Sequence, residues 1–243
     1  MTHFSCNVNR IALLRNSRTN GLPNLLDCAR IILDAGAQGI TIHPRPDERH
    51  IKAADVAPLA ALLKTYPHVE FNIEGNPHHN LMPLVAAYRP HQATFVPDAE
   101  GQTTSDHGFA PGAEMDAVRA LLAHLRAIGV RSSVFVDADL QAVEAAKRAG
   151  ADRIELYTEP YAEGFARGDY KNVLAQFTSA ASAARALGLG VNAGHDLNQR
   201  NLPYFLDAVQ PDEVSIGHAV IADAVTLGLE KTVKAYLAIC SGK

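Results

Sequence analysis

Short runs of β-branched and apolar residues alternate along the chain with longer segments of helical spacing. In one longer segment, Leu25, Ala29, Ile32 and Leu33 recur at the spacing of a single helix face. The short runs predict eight strands at residues 4–8, 39–43, 69–74, 92–96, 131–136, 153–157, 190–192 and 213–216. This alternation is typical of an α/β fold with parallel strands and right-handed crossovers.

Glycine ends several predicted helices just before the next strand, at Gly36, Gly129, Gly150 and Gly188. Such a glycine adopts a left-handed conformation that shortens the connection, and Asp139 is most simply the N-cap of another helix. Eight strand–helix units favour a closed (β/α)₈ TIM barrel over an open sheet, and no G-x-G-x-x-G follows the first strand. We expect one catalytic domain over residues 1–243. The loop 97–112 is expected to be mobile and to cover a site.

Composition narrows the class of protein. Of 243 residues 47% are hydrophobic and 20% charged, with a formal net charge of −4. That balance predicts a globular core and offers no basic surface for nucleic acid or an anionic membrane. The first residues lack a signal-peptide pattern, and no apolar run approaches the ~20 residues of a membrane span. Three cysteines without a CxxC pair are typical of the cytoplasm and disfavour cysteine-bound zinc.

Polar side chains follow the predicted strands at their carboxyl ends, where (β/α)₈ barrels carry their active sites. His43 and Glu74 end the second and third strands, and His195 and His218 follow the seventh and eighth. Glu155 lies within the otherwise apolar sixth strand. A single histidine at such a position is more often structural than functional. Their joint placement predicts an active site.

Two turns after the last strands predict a phosphate site. Gly194 and Gly217 each precede a histidine, and the second turn opens a helix expected to run toward Cys240. Glycine allows close approach of the backbone to an anion, and the start of a helix attracts one. Three arginines could neutralise a second phosphate: Arg18, Arg45 and Arg49. We therefore expect small phosphorylated substrates.

Lysine is missing from the predicted strand ends. A barrel aldolase that binds its substrate as a lysine Schiff base would need one there, so His43, Glu74 and His195 would instead transfer protons between two joined substrates. Two alternatives stay open. One is a metal-dependent hydrolase or isomerase of a sugar phosphate, with His43, His50, Glu74 and His195 as ligands. The other is a non-catalytic protein that binds a phosphorylated ligand.

Five longer motifs occur in order from the first strand to the last helix: residues 7–18 (NVNRIALLRNSR), 39–51 (GITIHPRPDERHI), 72–74 (NIE), 191–195 (VNAGH) and 216–219 (IGHA). Together they resemble the pyridoxine 5′-phosphate synthase family. The resemblance implies a cofactor-free transferase of pyridoxine (vitamin B6) biosynthesis. That family condenses 1-deoxy-D-xylulose 5-phosphate with 3-amino-2-oxopropyl phosphate and releases phosphate and water. It also implies a homo-octamer built from dimers.

The same resemblance implies roles for individual residues. His43 and Glu74 match its proton acceptors, and His195 matches its proton donor. Glu155 matches a carboxylate that stabilises a charged transition state. Contacts to the amino-ketone phosphate match Asn7, Arg18, Gly217 and His218. Contacts to the deoxyxylulose phosphate match Arg45, His50 and Thr104.

The chain departs from the family's pattern at two places. It has Asn9 and Arg10 where the family usually has Asp-His at positions that help hold the sugar phosphate. Asn9 keeps a hydrogen-bonding side chain, and Arg10 keeps a cationic donor. Asp196 stands where glycine is usual, and a contact through its backbone N–H can survive there. The acid–base residues are unaltered, so we interpret the chain as an active variant.

Overall fold

The protein is described by a computed structural model that covers residues 1–102 and 104–242 and contains a closed barrel of eight parallel strands. Each strand pairs with the next along the chain, and the last pairs with the first. The strands are β1 (His3–Asn7), β2 (Gly39–Ile42), β3 (Glu70–Gly75), β4 (Gln92–Phe95), β5 (Arg131–Val136), β6 (Arg153–Tyr157), β7 (Gly190–Gly194) and β8 (Glu213–Ile216). The predicted (β/α)₈ barrel and all eight predicted strands are confirmed.

Some strand bounds differ from the predicted ones by a residue or two. β7 continues to Gly194 because that glycine still pairs with Ser215 of β8. β1 begins at His3, whose backbone N–H donates to Asp212 O over 2.8 Å. β2 ends at Ile42, so His43 lies just beyond the strand rather than within it. The imidazole therefore belongs to the rim of the barrel.

Twelve helices accompany the strands in the described part of the chain. They are α1 (Asn9–Asn16), α2 (Leu25–Asp34), α3 (Ala53–Leu63), α4 (Leu81–Tyr88), α5 (Ala113–Ala117), α6 (Arg119–Ala127), α7 (Leu140–Ala149), α8 (Glu159–Arg167), α9 (Lys171–Ala186), α10 (Leu202–Val209), α11 (His218–Leu227) and α12 (Leu229–Cys240). The single helix expected between Gly217 and Cys240 is wrong. Gly228, with φ of 83°, separates α11 from α12 because this backbone conformation does not continue a helix. None of the described helices is long and apolar enough to cross a membrane.

The predicted helix ends are confirmed where glycine or aspartate sets them. Gly150 caps α7 with φ of 94°, and Gly36, Gly129 and Gly188 also have positive φ. At the other end of α7, Asp139 Oδ2 accepts the backbone N–H of Ala142 over 3.0 Å. These caps keep the connections between helix and strand short.

The barrel interior is polar, whereas the apolar core lies between the strands and the helices. Asn192 Nδ2 of β7 donates to Gln92 Oε1 of β4 over 3.2 Å. Because β7 and β4 are not neighbours, this hydrogen bond crosses the interior of the barrel. Side chains alternate between the two faces of a strand, so Glu74 shares the interior face with Asn72. The polar interior thus continues to the carboxyl ends of the strands.

The loop 97–112 joins β4 to α5 across the carboxyl end of the barrel. Phe109 N donates to Phe135 O of β5 over 2.8 Å, which ties the loop to the barrel. Thr104 and Ser105 of this loop face a cavity at the strand ends. The loop thus contributes to the wall of this cavity, whereas its mobility and its role over a site stay predictions. Thr103 lies outside the described residues.

Candidate active site

A cavity of about 380 Å³ opens at the carboxyl ends of the strands. Every predicted site residue except Arg18 lines it: Asn7, Asn9, Arg10, His43, Arg45, His50, Glu74, Thr104, Glu155, His195, Asp196, Gly217 and His218. The fold therefore assembles at one mouth the residues that the strand-end pattern predicts. No lysine is among the described residues that line the cavity.

Arg18 is the predicted site residue that does not line this cavity. α1 ends at Asn16, and Arg18 is exposed in the turn that follows. Its predicted contact with a phosphate stays a prediction. Arg15, one turn earlier, forms a partly buried ion pair with Asp55 at 2.6 Å, which is a structural role.

His43 enters the cavity directly after β2. Its backbone N–H donates to Asn9 Oδ1 over 2.9 Å, so Asn9 fixes the chain at the point where the imidazole begins. Burial, followed by the positive charge of Arg45, holds the pKa of His43 well below its ordinary value. The ring is therefore neutral near pH 7 and can accept a proton.

Arg45 forms the centre of one cationic region. It is 6% exposed, forms an ion pair with the buried Asp98 and donates to Gln102 O over 3.0 Å. Ser105 Oγ donates to the same carboxylate over 2.8 Å. Arg45 is thus fixed between the end of β2 and the loop after β4. A guanidinium fixed in this way is suited to bind a phosphate.

His50 adds a neutral hydrogen-bonding group to this region. Its Nδ1 accepts the backbone N–H of Ile51 over 2.9 Å, which leaves Nε2 for a ligand. Burial, followed by the charges of Arg45 and Arg49, lowers the pKa of His50 to about 4. The imidazole therefore carries its remaining proton on Nε2 and can donate it to an anion.

Glu74 of β3 and Glu155 of β6 supply carboxyl groups to the cavity. Burial, followed by the charge of Glu155, raises the pKa of Glu74 well above its ordinary value. Burial, followed by the charge of Glu213, raises the pKa of Glu155 to about 8. A Cβ at Gly194 would lie 2.5 Å from Glu155 Oε1, so glycine is needed there to leave room for the carboxylate. Carboxyl groups whose pKa is raised above the ordinary range are suited to proton transfer near neutral pH.

His195 is held on several sides in the loop after β7. Thr158 Oγ1 donates to its backbone oxygen, and its ring packs edge-on against Tyr157 with centroids 5.3 Å apart. Nε2 lies 3.2 Å from Thr104 Oγ1, and Nδ1 lies 3.2 Å from Asp196 Oδ2. The imidazole can therefore form a hydrogen bond at each of its two nitrogens.

The start of α11 provides a second region suited to an anion. Gly217 is its N-cap, and the backbone N–H groups of its first turn attract negative charge. A Cβ at Gly217 would lie 3.1 Å from the Asn7 side chain, so glycine brings the end of β8 close to β1. Arg10 and His218 line the same cavity. Apart from Arg18, the residues that the family resemblance matches to the two phosphates thus line one cavity, and the binding itself stays a prediction.

Three residues that line the cavity had no predicted role: Ser105, Glu159 and Ser215. Asp98, which forms the ion pair with Arg45, also had none. The alternation in β8 could have found Ser215, which lies two residues from Gly217 on the interior face. Glu159 begins α8, whose early proline obscures the helical pattern. Asp98 follows β4 directly, but its pairing with Arg45 depends on the approach of two distant segments.

The alternative metal site is not assembled. Its proposed ligands were His43, His50, Glu74 and His195. Across residues 1–102 and 104–242, the group of three potential ligands within 4.8 Å of one another is Glu159, His195 and Asp196. Only His195 belongs to both sets, so the geometry does not favour the metal-dependent reading.

The closed barrel and its cavity define a (β/α)₈-barrel protein whose strand ends carry histidine and glutamate side chains suited to proton transfer and two regions suited to an anion. A family model described as "Pyridoxal phosphate biosynthesis protein PdxJ" matches residues 4–242. The chain belongs to this family, and it is an enzyme.

Two curated relatives agree with that assignment. The chain is 54% identical to pyridoxine 5′-phosphate synthase of Albidiferax ferrireducens, over 97% of this chain and 96% of the relative. It is 51% identical to the protein of the same name from Xanthomonas campestris pv. campestris, over 99% and 97%. Among solved structures, phosphoribosyl anthranilate isomerase from Thermotoga maritima is similar with a TM-score of 0.63, 14% identity and full coverage of both chains. That likeness shows the fold alone.

Proposed function

We propose that this chain is a pyridoxine 5′-phosphate synthase. It condenses 1-deoxy-D-xylulose 5-phosphate with 3-amino-2-oxopropyl phosphate to form pyridoxine 5′-phosphate, inorganic phosphate and water. The observation that carries the proposal is the convergence of His43, Glu74, Glu155 and His195 on one cavity between two anion-binding regions. Relatives of the same name at 54% and 51% identity support the same reaction.

Each anion-binding region would hold one phosphate. Deoxyxylulose phosphate would bind the region of Arg45, His50 and Thr104, with Asn9 and Arg10 adding contacts to it. The amino-ketone phosphate would bind the other region through Asn7, the backbone of Gly217 and His218, with Arg18 as a further contact. The backbone N–H of Asp196 would add a contact beside His195. Two fixed phosphates would hold the reacting amine and ketone together, which removes much of the entropic cost of their meeting.

The four acid–base residues would then move protons between the joined substrates. The amine nitrogen attacks the ketone carbon, a C–N bond forms, and water leaves to give an imine. His43 and Glu74 would accept protons from nitrogen and carbon, and His195 would protonate leaving oxygen atoms. Glu155 would stabilise positive charge once its own proton has moved. Elimination of phosphate, hydration and ring closure follow, and aromatisation drives the sequence. No cofactor is needed for these steps.

The whole chain, residues 1–243, would act as one catalytic domain in the cytoplasm. We further propose that it assembles as a homo-octamer built from dimers, on the basis of its resemblance to the family. Light scattering coupled to size-exclusion chromatography would measure the mass of the assembly. A mass of one or two chains would contradict this part of the proposal.

Incubation of the purified protein with both substrates tests the reaction. We expect a pyridine chromophore and one inorganic phosphate per turnover, and neither product when one substrate is left out. Pretreatment with a chelator should leave the rate unchanged. Tight binding of a sugar phosphate without any pyridine product would contradict the proposal, and a rate restored only by a divalent metal would favour the metal-dependent alternative.

A further inference from the structure

The two ring nitrogens of His195 have different partners. Nε2 meets the Thr104 hydroxyl at 3.2 Å on the side of the cavity, whereas Nδ1 meets the carboxylate of Asp196 at 3.2 Å. Which nitrogen of a neutral imidazole carries the proton is set by the hydrogen bond that the other nitrogen makes. A carboxylate only accepts hydrogen bonds, so it requires the proton on Nδ1.

Asp196 makes this contact from an unusual backbone conformation. Its φ is 56° and that of His195 is 91°, both in the left-handed region that favours glycine. The hydrogen bond that the structure gives the Asp196 side chain goes to His195. That hydrogen bond, followed by burial acting in the opposite direction, leaves the pKa of Asp196 below its ordinary value, so the group is ionised near pH 7. A non-glycine residue there is consistent with a role for its carboxylate.

We propose that Asp196 is a positioning residue for His195. Its carboxylate fixes the proton on Nδ1, so that Nε2 is the nitrogen that exchanges protons with the substrate, and it stabilises the protonated ring that acts as a donor. This inference rests on the proposed function, because it assigns His195 the role of proton donor. It gives the Asp196 side chain a task separate from a backbone contact with phosphate.

The charges around His195 bear on whether its protonated ring is stabilised. Glu159 at the start of α8 provides the third member of the close group with His195 and Asp196. Both carboxylates favour the protonated imidazole, whereas Arg10 and His218, which act on Asp196, oppose it. Asp106 of the covering loop acts on Glu159 and adds negative charge to the same side. Removal of Asp196 therefore takes away the negative charge that is in direct hydrogen-bond contact with the ring.

Two variants of Asp196 separate its charge from its backbone conformation. Asp196→Asn keeps the shape and removes the charge, whereas Asp196→Gly removes the side chain and relieves the left-handed backbone. We expect both to lower kcat about tenfold with KM changed less than about threefold, because the donor rather than substrate binding is impaired. In both, the alkaline limb of the pH–rate profile should move to lower pH, because the negative charge beside the proton donor is lost. Glu159→Gln is the matched control, and its shift should be smaller.

A spectroscopic measurement tests the hydrogen bond itself. Solid-state ¹⁵N NMR of histidine-labelled protein at high pH should show the Nδ1–H tautomer for His195 in the parent, with His195→Gln assigning the signal. Asp196→Gly should lose that preference. A kcat within twofold of the parent with an unmoved pH profile, or the Nε2–H tautomer in the parent, would overturn the inference. If the parent forms no pyridine product, the proposed function fails, while the tautomer measurement still decides the role of Asp196.

Discussion

Strand β3 carries two glutamates whose surroundings differ. Glu70, at the start of the strand, accepts a hydrogen bond at Oε1 from Arg131 Nη1 over 3.1 Å. Burial raises the pKa of Glu70, but the hydrogen bond and charge of Arg131 outweigh it, and the pKa lies below its ordinary value. Glu74, four residues later, has its pKa raised well above the ordinary value by burial and by neighbouring carboxyl groups. The same residue type thus takes opposite properties within a single strand.

The difference shows that in this barrel the pKa of a carboxyl group depends on its neighbours rather than on the residue type. At the amino-terminal end, Arg131 and Arg153 neutralise or hydrogen-bond the polar side chains. At the mouth, Glu155 Oε2 has no hydrogen-bond partner among the described residues. Glu213 combines both situations: Arg153 and Arg131 lie nearby, but burial and the charge of Glu70 still raise its pKa to about 7.

The largest expected effect separates Glu74 from Glu70 by activity. Glu74→Gln removes a proton acceptor and nearly conserves shape, so we expect kcat to fall by about 10²–10⁴-fold with folding retained. Initial rates of pyridine formation and urea unfolding measure the two properties. A rate within about threefold of the parent would remove Glu74 from the mechanism, and a lowered urea midpoint would make its role structural.

The next effect is a pH dependence of stability from Glu155. Its folded pKa of about 8 lies above the ~4.3 of an unfolded glutamate, so its stabilising contribution is complete below pH 4.3 and is lost as pH rises toward 8. We expect the free energy of unfolding to fall between pH 5 and 8, by at most about 1.4 kcal/mol per pH unit from this group. Glu155→Gln should flatten that slope in chemical denaturation at several pH values. An unchanged slope would mean that Glu155 is ionised in the folded protein.

A variant of Arg45 tests whether the two proposed anion-binding regions each bind a different substrate. Arg45→Ala should weaken the binding of deoxyxylulose phosphate about 10–100-fold, because a charge-assisted contact is lost. Calorimetric titration with each substrate alone measures this, and the amino-ketone phosphate serves as the internal control. Equal losses for both substrates would show that Arg45 supports the cavity through Asp98 rather than one phosphate.

The smallest effect concerns Glu70 itself. Glu70→Gln weakens a partly exposed ion pair with Arg131, so we expect the free energy of unfolding to fall by about 1–2 kcal/mol. The kcat should stay within about twofold of the parent because Glu70 does not line the cavity. Urea unfolding and initial rates check the two halves of the prediction. A large loss of kcat at unchanged stability would erase the contrast between the two ends of β3.

The fold was predictable because its elements have simple local causes. All eight strands coincide with short apolar runs, and four helices end at or next to the glycines expected there. The additional helices were harder to predict. Pro160 and Gly164 interrupt the pattern of α8, and Gly228 divides what reads as one helix into two. Such breaks are decided by packing around the barrel as much as by propensity.

The candidate site was predictable to the extent that it follows from strand ends. Glu74 and His195 end or follow strands, and parallel strands in a closed barrel bring those ends to one mouth. Arg18 was predicted beside them and lies apart, since the length of α1 carries it beyond the cavity. The pairing of Asp98 with Arg45 joins residues 53 positions apart, and no local pattern contains that information.

By itself, the sequence determined the alternation of strands and helices, the polar residues at strand ends and the family to which the chain belongs. Only the tertiary structure decided which carboxyl groups have an arginine partner and which have a raised pKa, and that Asp196 reaches Nδ1 of His195. The physical reason is the separation along the chain over which each effect acts. Periodicity and capping act over a few residues, whereas pKa values and side-chain orientation depend on charges and burial supplied by distant segments.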